Sequence, residues 1–412
     1  MPELIRPYAE VLAQPAFRRF WIGFLLSTLG NEFTRVAFVW FVYRKTGSAE
    51  ALGILMVCMT APILIGGFLA GWLLDAFDRR RVLIADALIR GVAMAVVPLL
   101  YAFDRLEVWH VYLAGAIYGF LMMIELAGTP SLIPSLVAPA RLAVANALEM
   151  LGYTLAGVIG PVLAGVLIAA IGAPLTVMVD VAAYLLFAAL LAGLKIPPSA
   201  TATAASSRRG YGGTASMLAG NSVLLSTTLM FCVFNIGGGM QGVWLPILVD
   251  RHLGGGSEAY GALLGLLASG QTVSTLLAGA LASRLPLGSA ICAAQFAAGM
   301  TLVPIFLWPS AVTVALGMFA FGLASAPLTI WAQTLRMAII PAEMRGRAFA
   351  LLRLIMQGGR PLGGIVAGLL TPMVGALGTV VAAAALAGLP AIAGLFVRGL
   401  RQAGRPTGDR QR

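Results

Sequence analysis

The sequence predicts an all-α membrane protein with twelve transmembrane helices arranged in two related halves of six. Hydrophobic residues make up 60% of the chain and charged residues only 10%, which is typical of an integral membrane protein. A charged turn at Gly71–Val82 joins the second and third apolar runs, and a weaker copy at Ala278–Gly288 lies in the matching place of the second half. Such a repeat is typical of transporters built from two halves.

Twelve apolar runs are long enough, at about 20 residues each, to cross a hydrocarbon core. They begin near Phe20, Ala51, Val82, Val108, Ala143, Pro174, Val223, Tyr260, Ser289, Ala311, Phe349 and Ala376. Lipid offers no hydrogen-bond partner to free backbone groups, so each run is predicted to be helical.

A polar stretch at Lys195–Gly213, rich in Pro, Ser, Ala and Gly, separates the two halves. It predicts a six-helix bundle over residues 1–194, a cytoplasmic linker over 195–215, and a second six-helix bundle with a basic tail over 216–412. Matching positions support a parallel duplication. They are Gly53 with Gly261, Leu69–Gly71 with Leu277–Gly279, Asn31 with Asn235, Trp40 with Trp244, and Pro161 with Pro361.

The distribution of positive charge predicts the orientation. Residues 1–19 are polar and lack the apolar stretch of a cleavable signal, so we expect the N-terminus in the cytoplasm. Most of the 27 lysines and arginines, including Arg336, then lie on that side. We therefore expect a multi-pass protein of the cell inner membrane with both termini cytoplasmic. The same bias and contact with lipid headgroups explain the net charge of +11 without a nucleic-acid partner.

The sequence contains no pattern that indicates a cofactor, a metal site or an enzyme. Cys58, Cys232 and Cys292 lie inside apolar runs, which predicts small core residues, and His110 and His252 belong to no ligand cluster. Neither lysine follows a glycine, so a GK[ST] phosphate loop is absent, and no nucleophile lies with a base. The expected partners are the lipid bilayer, protons and a small molecule, and we expect a monomer.

Several motifs resemble those of the major facilitator superfamily over nearly the whole chain. The superfamily's loop pattern, GxxxD followed by Arg, is present at Gly71, Asp75 and Arg79. The segments NEFTRVAFVWFVYRKTGS, DRRRVLIAD, ANAL and PAEMRGRAF are similar to the branch of twelve-helix exporters that contains macrolide efflux proteins and the enterobactin exporter. Where that branch usually has Gly-Asp in helix 1, this chain has Asn31-Glu32.

The resemblance implies a charge relay that latches the cytoplasmic side closed. Its acids and base are Asp75, Arg79 and Glu125, with Glu125 placed one or two turns from the cytoplasmic end of helix 4, and its loop includes Gly71, Asp78 and Arg80. Asp75 would face the N-terminal end of helix 11, whose dipole favours an anion. In the second copy of the loop Ser283 replaces the acid. The alternative for Glu125 is that it binds protons or a cationic substrate.

Glu32 is the predicted proton-coupling residue. With about 1.5 Å of rise per residue, it lies roughly 18 Å inside helix 1, near the middle of a core about 30 Å thick. Desolvation there favours the protonated acid, whereas Arg35, one turn away, favours the carboxylate. The alternative is a permanent structural ion pair. Asp86 with Arg90, and Asp180, are interpreted as structural.

Gly157, Gly160, Pro161 and Gly165 resemble a looser form of the helix 5 motif that proton antiporters of the superfamily carry. The resemblance implies proton antiport. Ordinary tight helix packing would give the same pattern.

The superfamily fold implies a central cavity between helices 1, 4, 7 and 10. Besides Glu32 and Arg35, its expected lining is Asn31, Trp40, Tyr118, Met122, Asn235, Met240, Gln241, Trp244, Trp331, Gln333 and Arg360. Aromatic and Met surfaces with few hydrogen-bonding groups suit bulky amphipathic ligands. The alternative for most of these aromatic side chains is that they pack between helices or lie in the belt at the membrane interface.

These observations predict a secondary transporter that exports amphipathic, drug-like or macrolide-like molecules by proton antiport and alternating access. The first alternative is an exporter of an anionic siderophore-like metabolite bound by Arg35 and Arg360. The second is a non-transporting membrane scaffold or sensor of the same fold. The substrate, the proton stoichiometry and the oligomeric state stay open.

Overall fold

The computed structural model describes residues 2–194, 212–281, 285–341 and 344–403. In these ranges the regular structure consists of α-helices and two short 3-10 helices, without a strand. The predicted all-α class is thereby confirmed. The predicted linker at Lys195–Gly213 and Ser283 of the second loop lie outside the described residues, apart from the linker's last two positions.

The first half of the chain forms six long helices. They are α1 (Pro15–Thr46), α2 (Ala49–Ala76), α3 (Arg79–Ala102), α4 (Val108–Leu132), α5 (Leu142–Ile171) and α6 (Ala173–Ala192). Pro15 occupies the first turn of α1, where the N–H that proline lacks has no helical partner in any case. Gly47 ends α1 with φ 61°, a left-handed conformation that suits glycine.

The second half begins with four long helices and ends in a broken one. The four are α7 (Ser222–Arg251), α8 (Ser257–Leu281), α9 (Leu287–Leu307) and α10 (Ala311–Ile339). Gly359–Gly388 is interrupted at Gly375, which has φ 75° and ψ 174° and therefore cannot continue a helix. This break separates α11 (359–374) from α12 (376–388).

Ten segments of the described chain are long and apolar enough to cross a membrane. Helix α1 is not among them, because Asn31, Glu32 and Arg35 lower its hydropathy. The last segment, Ala348–Phe396, contains both α11 and α12. The described helices are therefore consistent with the twelve predicted spans.

The chain folds as two compact units. The first contains Met1–Gly47, Cys58–Ala204 and Gly256–Gly265, and the second contains Ser48–Val57, Ala205–Gly255 and Leu266–Arg412. In the first unit, α1 packs on α5 and α6, while α3 packs on α4 and α6. In the second, α7 packs on α11 and α12, and α9 packs on α10.

Aromatic rings position α1 in the first unit. Phe20 stacks on Phe24 with ring centroids 6.1 Å apart, and Phe24 meets the edge of Tyr153 of α5 at 4.9 Å. Phe187 of α6 lies 6.4 Å from Phe20. Because these rings are on one face of α1, they hold the helix between α5 and α6 and set which residues of its next turns face inward.

Candidate functional site

One face of α1 changes from apolar to polar in the middle of the helix. Residues spaced three and four apart share a helix face, and this face carries Phe17, Phe20, Phe24, Ser27, Asn31, Thr34 and Phe38. Ser27 and Thr34 are completely buried. Polar side chains buried within a membrane helix need partners, which the neighbouring helices supply.

The neighbouring helices carry matching polar pairs separated by four residues. They are Asp86 and Arg90 on α3, Glu125 and Thr129 on α4, and Asp180 and Tyr184 on α6. A separation of four puts both members of a pair on one face. Helix α1 contacts α4 and α6, and α3 contacts the same two helices. The four polar faces therefore meet inside the first unit.

Arg90 is the centre of this buried carboxyl cluster. Its Nη2 forms ion pairs with Asp86 Oδ2 and with Glu125 Oε2, the second at 2.7 Å. Its Nη1 donates to the Tyr184 hydroxyl at 3.1 Å. The side chains of Arg90, Asp86 and Glu125 are only 1%, 2% and 5% exposed. One guanidinium nitrogen thus serves two carboxyl groups away from solvent.

Asn31 and Ser27 connect the cluster to α1. The Asn31 amide donates to Glu125 Oε2 at 3.3 Å and accepts a hydrogen bond from the Tyr184 hydroxyl. The Ser27 hydroxyl lies 3.5 Å from Glu125 Oε1. Asn31, which the sequence predicts as cavity lining, therefore belongs to the cluster.

Two more buried carboxyl groups lie at its edges. Asp180 is completely buried and accepts a hydrogen bond from Thr34, and its Oδ1 lies against Gly30, where an added methyl would come within 2.5 Å. Glu149 of α5 accepts from Thr129 at 3.0 Å. Neither acid forms an ion pair with another described residue. An uncompensated charge in hydrocarbon costs at least about 2.5 kcal/mol, so both positions favour the neutral acid.

The Glu32–Arg35 pair lies on a different face of α1 in a different environment. Arg35 Nε donates to Glu32 Oε2 at 2.9 Å, and a second guanidinium nitrogen contacts the same oxygen. The side chains are 44% and 21% exposed for Arg35 and Glu32. The phenols of Tyr118 and Tyr260 lie within electrostatic range of Arg35. The predicted pair is therefore formed, and both side chains are partly exposed halfway along the helix.

Helix α5 supports Glu32 at Gly160. A methyl added at Gly160 would lie 2.7 Å from Glu32 Cβ, so only glycine allows this approach. Gly165, further along α5, lies against the start of α8, and the Ser257 hydroxyl donates to its carbonyl at 2.9 Å. Pro161 is buried beside Gly160, and Gly157 is half-buried. The structure thus brings the helix 5 motif together with the predicted coupling acid.

Glu125 does not join Asp75 and Arg79 in this structure. Helix α4 runs to Leu132 and continues as a 3-10 turn to Ser135, so Glu125 lies about 15 Å from the end of that segment. It bonds to α1 beside Glu32 and pairs with Arg90. Glu125 therefore lies further from the end of its helical segment than the apolar run indicates, and its part in a cytoplasmic latch stays a prediction.

The charged turn binds the ends of two helices. Arg79 Nη1 donates to the Ser131 carbonyl at 2.9 Å, and Arg80 donates to the Leu191 carbonyl at 2.7 Å and to Ala192. These carbonyls lie at the C-terminal ends of α4 and α6, where cations are favoured.

The remaining residues of the predicted latch lie around that turn. Asp78 caps α3 by accepting from the Arg81 N–H at 3.0 Å. Gly71 and Asp75 are exposed on α2. The turn therefore caps helices in this structure, and its role as a latch stays a prediction.

In the first unit, aromatic side chains lie close to Arg35. Trp40 stacks on Tyr260 with ring centroids 6.0 Å apart and planes 22° apart. Tyr118 is buried, and Met122 of α4 is half-buried. These three predicted lining residues lie on the same helices as the ion pair and the cluster.

Several cavity residues predicted in the second unit are buried among other side chains. Met240 and Trp244 are almost completely buried. Trp331 lies in a hydrophobic core and donates to the Ala278 carbonyl at 3.0 Å. Such burial fits the packing alternative that the sequence left open.

The other second-unit residues have mixed environments. Asn235 donates to the Met356 carbonyl at 3.1 Å, Gln241 is half-buried, and Gln333 and Arg360 are exposed. Arg336, assigned by charge to a cytoplasmic turn, is instead buried in the last turn of α10, where it donates to the Thr227 carbonyl at 3.2 Å. A buried arginine in an apolar helix can therefore find its hydrogen-bond partner on another helix, as Arg336 does on α7.

Sequence reasoning missed the partners that complete the cluster. The sequence analysis did not identify four of them, although all are buried and hydrogen-bonded: Ser27, Thr34, Glu149 and Tyr184. The available signal was the four-residue spacing of polar side chains in several apolar runs. Such spacing in one helix is uninformative, whereas its recurrence in α1, α3, α4 and α6 indicates a shared polar interior.

Comparison with known proteins identifies the family. The family model for transmembrane secretion effectors matches residues 6–404. The multidrug efflux pump Tap of Mycobacterium tuberculosis is 30% identical over 179 residues, which are 42% of this chain and 42% of the pump, so the chain spans less than half the length of this relative. The enterobactin exporter EntS of Shigella boydii is 26% identical over 322 residues, 73% of this chain and 76% of the exporter.

A solved structure shows the fold. The nucleoside transporter NupG superposes with a TM-score of 0.78 over 92% of this chain and 99% of its own, at 15% identity. The family match extends over nearly all of the helices described above. This multi-pass membrane protein therefore belongs to the transmembrane secretion effector family of the major facilitator superfamily.

Proposed function

We propose that this protein exports amphipathic small molecules in exchange for protons, by alternating access. The observation that carries the proposal is the partly exposed Glu32–Arg35 pair in the middle of α1. A titratable acid at that depth is costly in lipid and is expected to have a function. Aromatic groups beside it, including Trp40 and Tyr260, suit an apolar ligand with a polar or cationic group. The efflux pump and exporter among the relatives support export as the direction.

The pair couples transport by competition for one carboxyl group. Glu32 is either a carboxylate, held by Arg35 and able to attract a cationic substrate, or a neutral acid after it binds a proton. Substrate binding on one side therefore favours proton release, and proton binding on the other side favours substrate release. The proton moves inward as the substrate moves outward, because each occupancy excludes the other.

The exporter proposal is tested with ethidium and inverted membrane vesicles. We expect the wild-type protein to accumulate ethidium against a gradient and to release protons when ethidium is added to the purified carrier. Glu32→Gln keeps the size but cannot titrate, so uphill transport should be lost while ethidium binding persists. Glu50→Gln, an exposed acid of α2, is the matched control and should transport normally.

Stability separates coupling from structure at Glu32. If the acid only neutralises Arg35, then Glu32→Gln leaves a charge unpaired and lowers the free energy of unfolding, and the double change with Arg35→Gln restores it. A well-folded Glu32→Gln protein that still transports uphill would remove Glu32 from the mechanism. A wild-type carrier that neither binds ethidium nor releases protons would favour the scaffold alternative.

An anionic, siderophore-like substrate is the second candidate. The similarity to EntS and the exposed guanidinium of Arg35 favour it. Dihydroxybenzoate, a catechol anion, should then compete with ethidium in the wild type and lose that competition in Arg35→Gln. Tylosin aglycone, an uncharged macrolide-type probe, is tested in parallel. If the substrate is amphipathic and not anionic, this probe should compete with ethidium equally in the wild type and in Arg35→Gln.

A further inference from the structure

We propose that Asp86 and Glu125 form a second proton-binding site, in which the two carboxyl groups hold one exchangeable proton while Arg90 neutralises the other negative charge. The site does not include Glu32. Only the role of its proton in transport rests on the proposed exporter function. Its ligand is a proton shared by two acids, and its counter-ion is a guanidinium already in place.

The charge balance of the cluster is the first argument. Asp86 and Glu125 contact the same Nη2 atom of Arg90, and all three side chains are almost completely buried. Arg90 is the one buried cation among the described residues of the first unit. A single positive charge cannot compensate two carboxylates in an apolar medium, so one of the two acids binds a proton.

Unsatisfied atoms are the second, independent argument. Asp86 Oδ1 and Arg90 Nε are buried and have no hydrogen-bond partner among the described residues. A carboxylate with one bare oxygen is poorly stabilised as an anion, because it lacks the donors that normally surround the charge. When the proton is on Glu125 instead, the Ser27 hydroxyl beside Oε1 can accept a hydrogen bond from the protonated acid.

The described helices around the pair present polar and acidic side chains to it but no second cation. Helix α1 presents only Ser27 and Asn31 to Glu125. Helix α6 presents Tyr184 and the acid Asp180, and α5 presents Tyr153 and the acid Glu149. None of these groups supplies a cation, so Arg90 is left to balance the pair alone.

The pair is connected to the proposed transport path through one residue. Asn31 holds Glu125 Oε2 and the Tyr184 hydroxyl at the same time, and its neighbour in sequence is Glu32. Protonation of the pair weakens the hold of Arg90 on one acid and changes the hydrogen bonds that Ser27 and Asn31 of α1 donate to Glu125. The charge state of the pair can therefore alter the position of α1 without contact with the substrate.

Infrared difference spectroscopy on the reconstituted full-length protein tests this site without a substrate. Spectra recorded in acidic and alkaline buffers isolate the C=O stretching band of carboxyl groups that gain or lose a proton. Glu125→Gln and Asp86→Asn should each remove the same component of that band. The remaining acid then has Arg90 to itself, so one guanidinium balances one carboxylate and no shared proton is required.

Isosteric controls are available within the same unit. Asp180→Asn, Glu149→Gln and Glu32→Gln neutralise other acids and should leave this component unchanged. Asp86→Glu keeps both carboxyl groups and should keep the band component. This variant distinguishes loss of the proton site from loss of the component by misfolding. Persistence of the component in Glu125→Gln or in Asp86→Asn would overturn the shared-proton site, and so would its loss in Asp180→Asn or Glu149→Gln.

The exporter proposal fails by a different observation. If the wild type shows the band but no ethidium-driven proton release, then the proton site stands and the proposed exchange is wrong. If ethidium is exported uphill and the component survives both pair variants, then the exporter proposal stands and this site is wrong.

Discussion

Two ion pairs of the first unit have almost the same spacing along their helices but opposite surroundings. Glu32–Arg35 and Asp86–Arg90 lie three and four residues apart, a spacing from which pairing is predictable. The first pair is partly exposed, whereas the second is enclosed by α4 and α6. Whether an ion pair is enclosed depends on which helices pack around it, so enclosure cannot be predicted from the sequence of one helix. In the proposed mechanism, the first pair meets the substrate and the second holds a proton.

At the residue scale, we predict that Gly160→Ala weakens proton-coupled export without removing a charge. The new methyl would lie 2.7 Å from Glu32 Cβ and 3.1 Å from its Cγ, so Glu32 must move. Overpacking of this kind costs about 1–3 kcal/mol. Ethidium export and thermal unfolding measure the effect. Gly238→Ala is the matched control, because nothing lies within 4 Å of its added methyl. Equal losses in the two variants would contradict a specific contact with Glu32.

At the scale of elements, the charged turn between α2 and α3 has a role that its motif does not reveal. Arg79 and Arg80 bind carbonyl groups at the ends of α4 and α6, so a short loop fastens two helices that are distant in sequence. The sequence predicts the turn and its cytoplasmic position. It cannot predict which carbonyls the arginines reach, because these lie 52 and 111 residues away.

The capping role predicts different effects for three adjacent arginines. Arg79→Ala and Arg80→Ala should each lower the free energy of unfolding by about 1 kcal/mol or more, because each leaves helix-end carbonyls without a charged donor. Arg81→Ala removes the same charge from the same turn and should have little effect, since the exposed Arg81 contributes its backbone N–H to Asp78. Thermal unfolding in detergent provides the measurement. A loss in Arg81→Ala as large as in Arg80→Ala would mean that net charge, and not capping, sets the stability.

At the scale of the whole molecule, the all-α class and the apolar helices were predictable and the inward-facing residues were less so. Lipid requires helices, and runs of apolar residues reveal them. Lipid and protein core are equally apolar, however, so the sequence does not distinguish a side chain that packs from one that lines a cavity. Trp244 and Trp331 were predicted as lining from their helices alone, and both are buried. The predicted pairing of Glu32 with Arg35 was confirmed because it depends only on local spacing.

Orientation in the membrane is the property of the whole chain on which the direction of transport depends. The bias of arginine toward one side predicts that the linker at Lys195–Gly213 is cytoplasmic. We expect a single cysteine introduced by Ser206→Cys, in a background with Cys58, Cys232 and Cys292 replaced by serine, to react with an impermeant maleimide only after the inner membrane is permeabilised. Arg105→Cys, in the exposed turn after α3, is the matched control and should react in intact cells with the outer membrane opened. The reverse pattern of labelling would place the linker outside. Inverted vesicles would then report uptake rather than export, and the coupling assigned to Glu32 would run in the opposite direction.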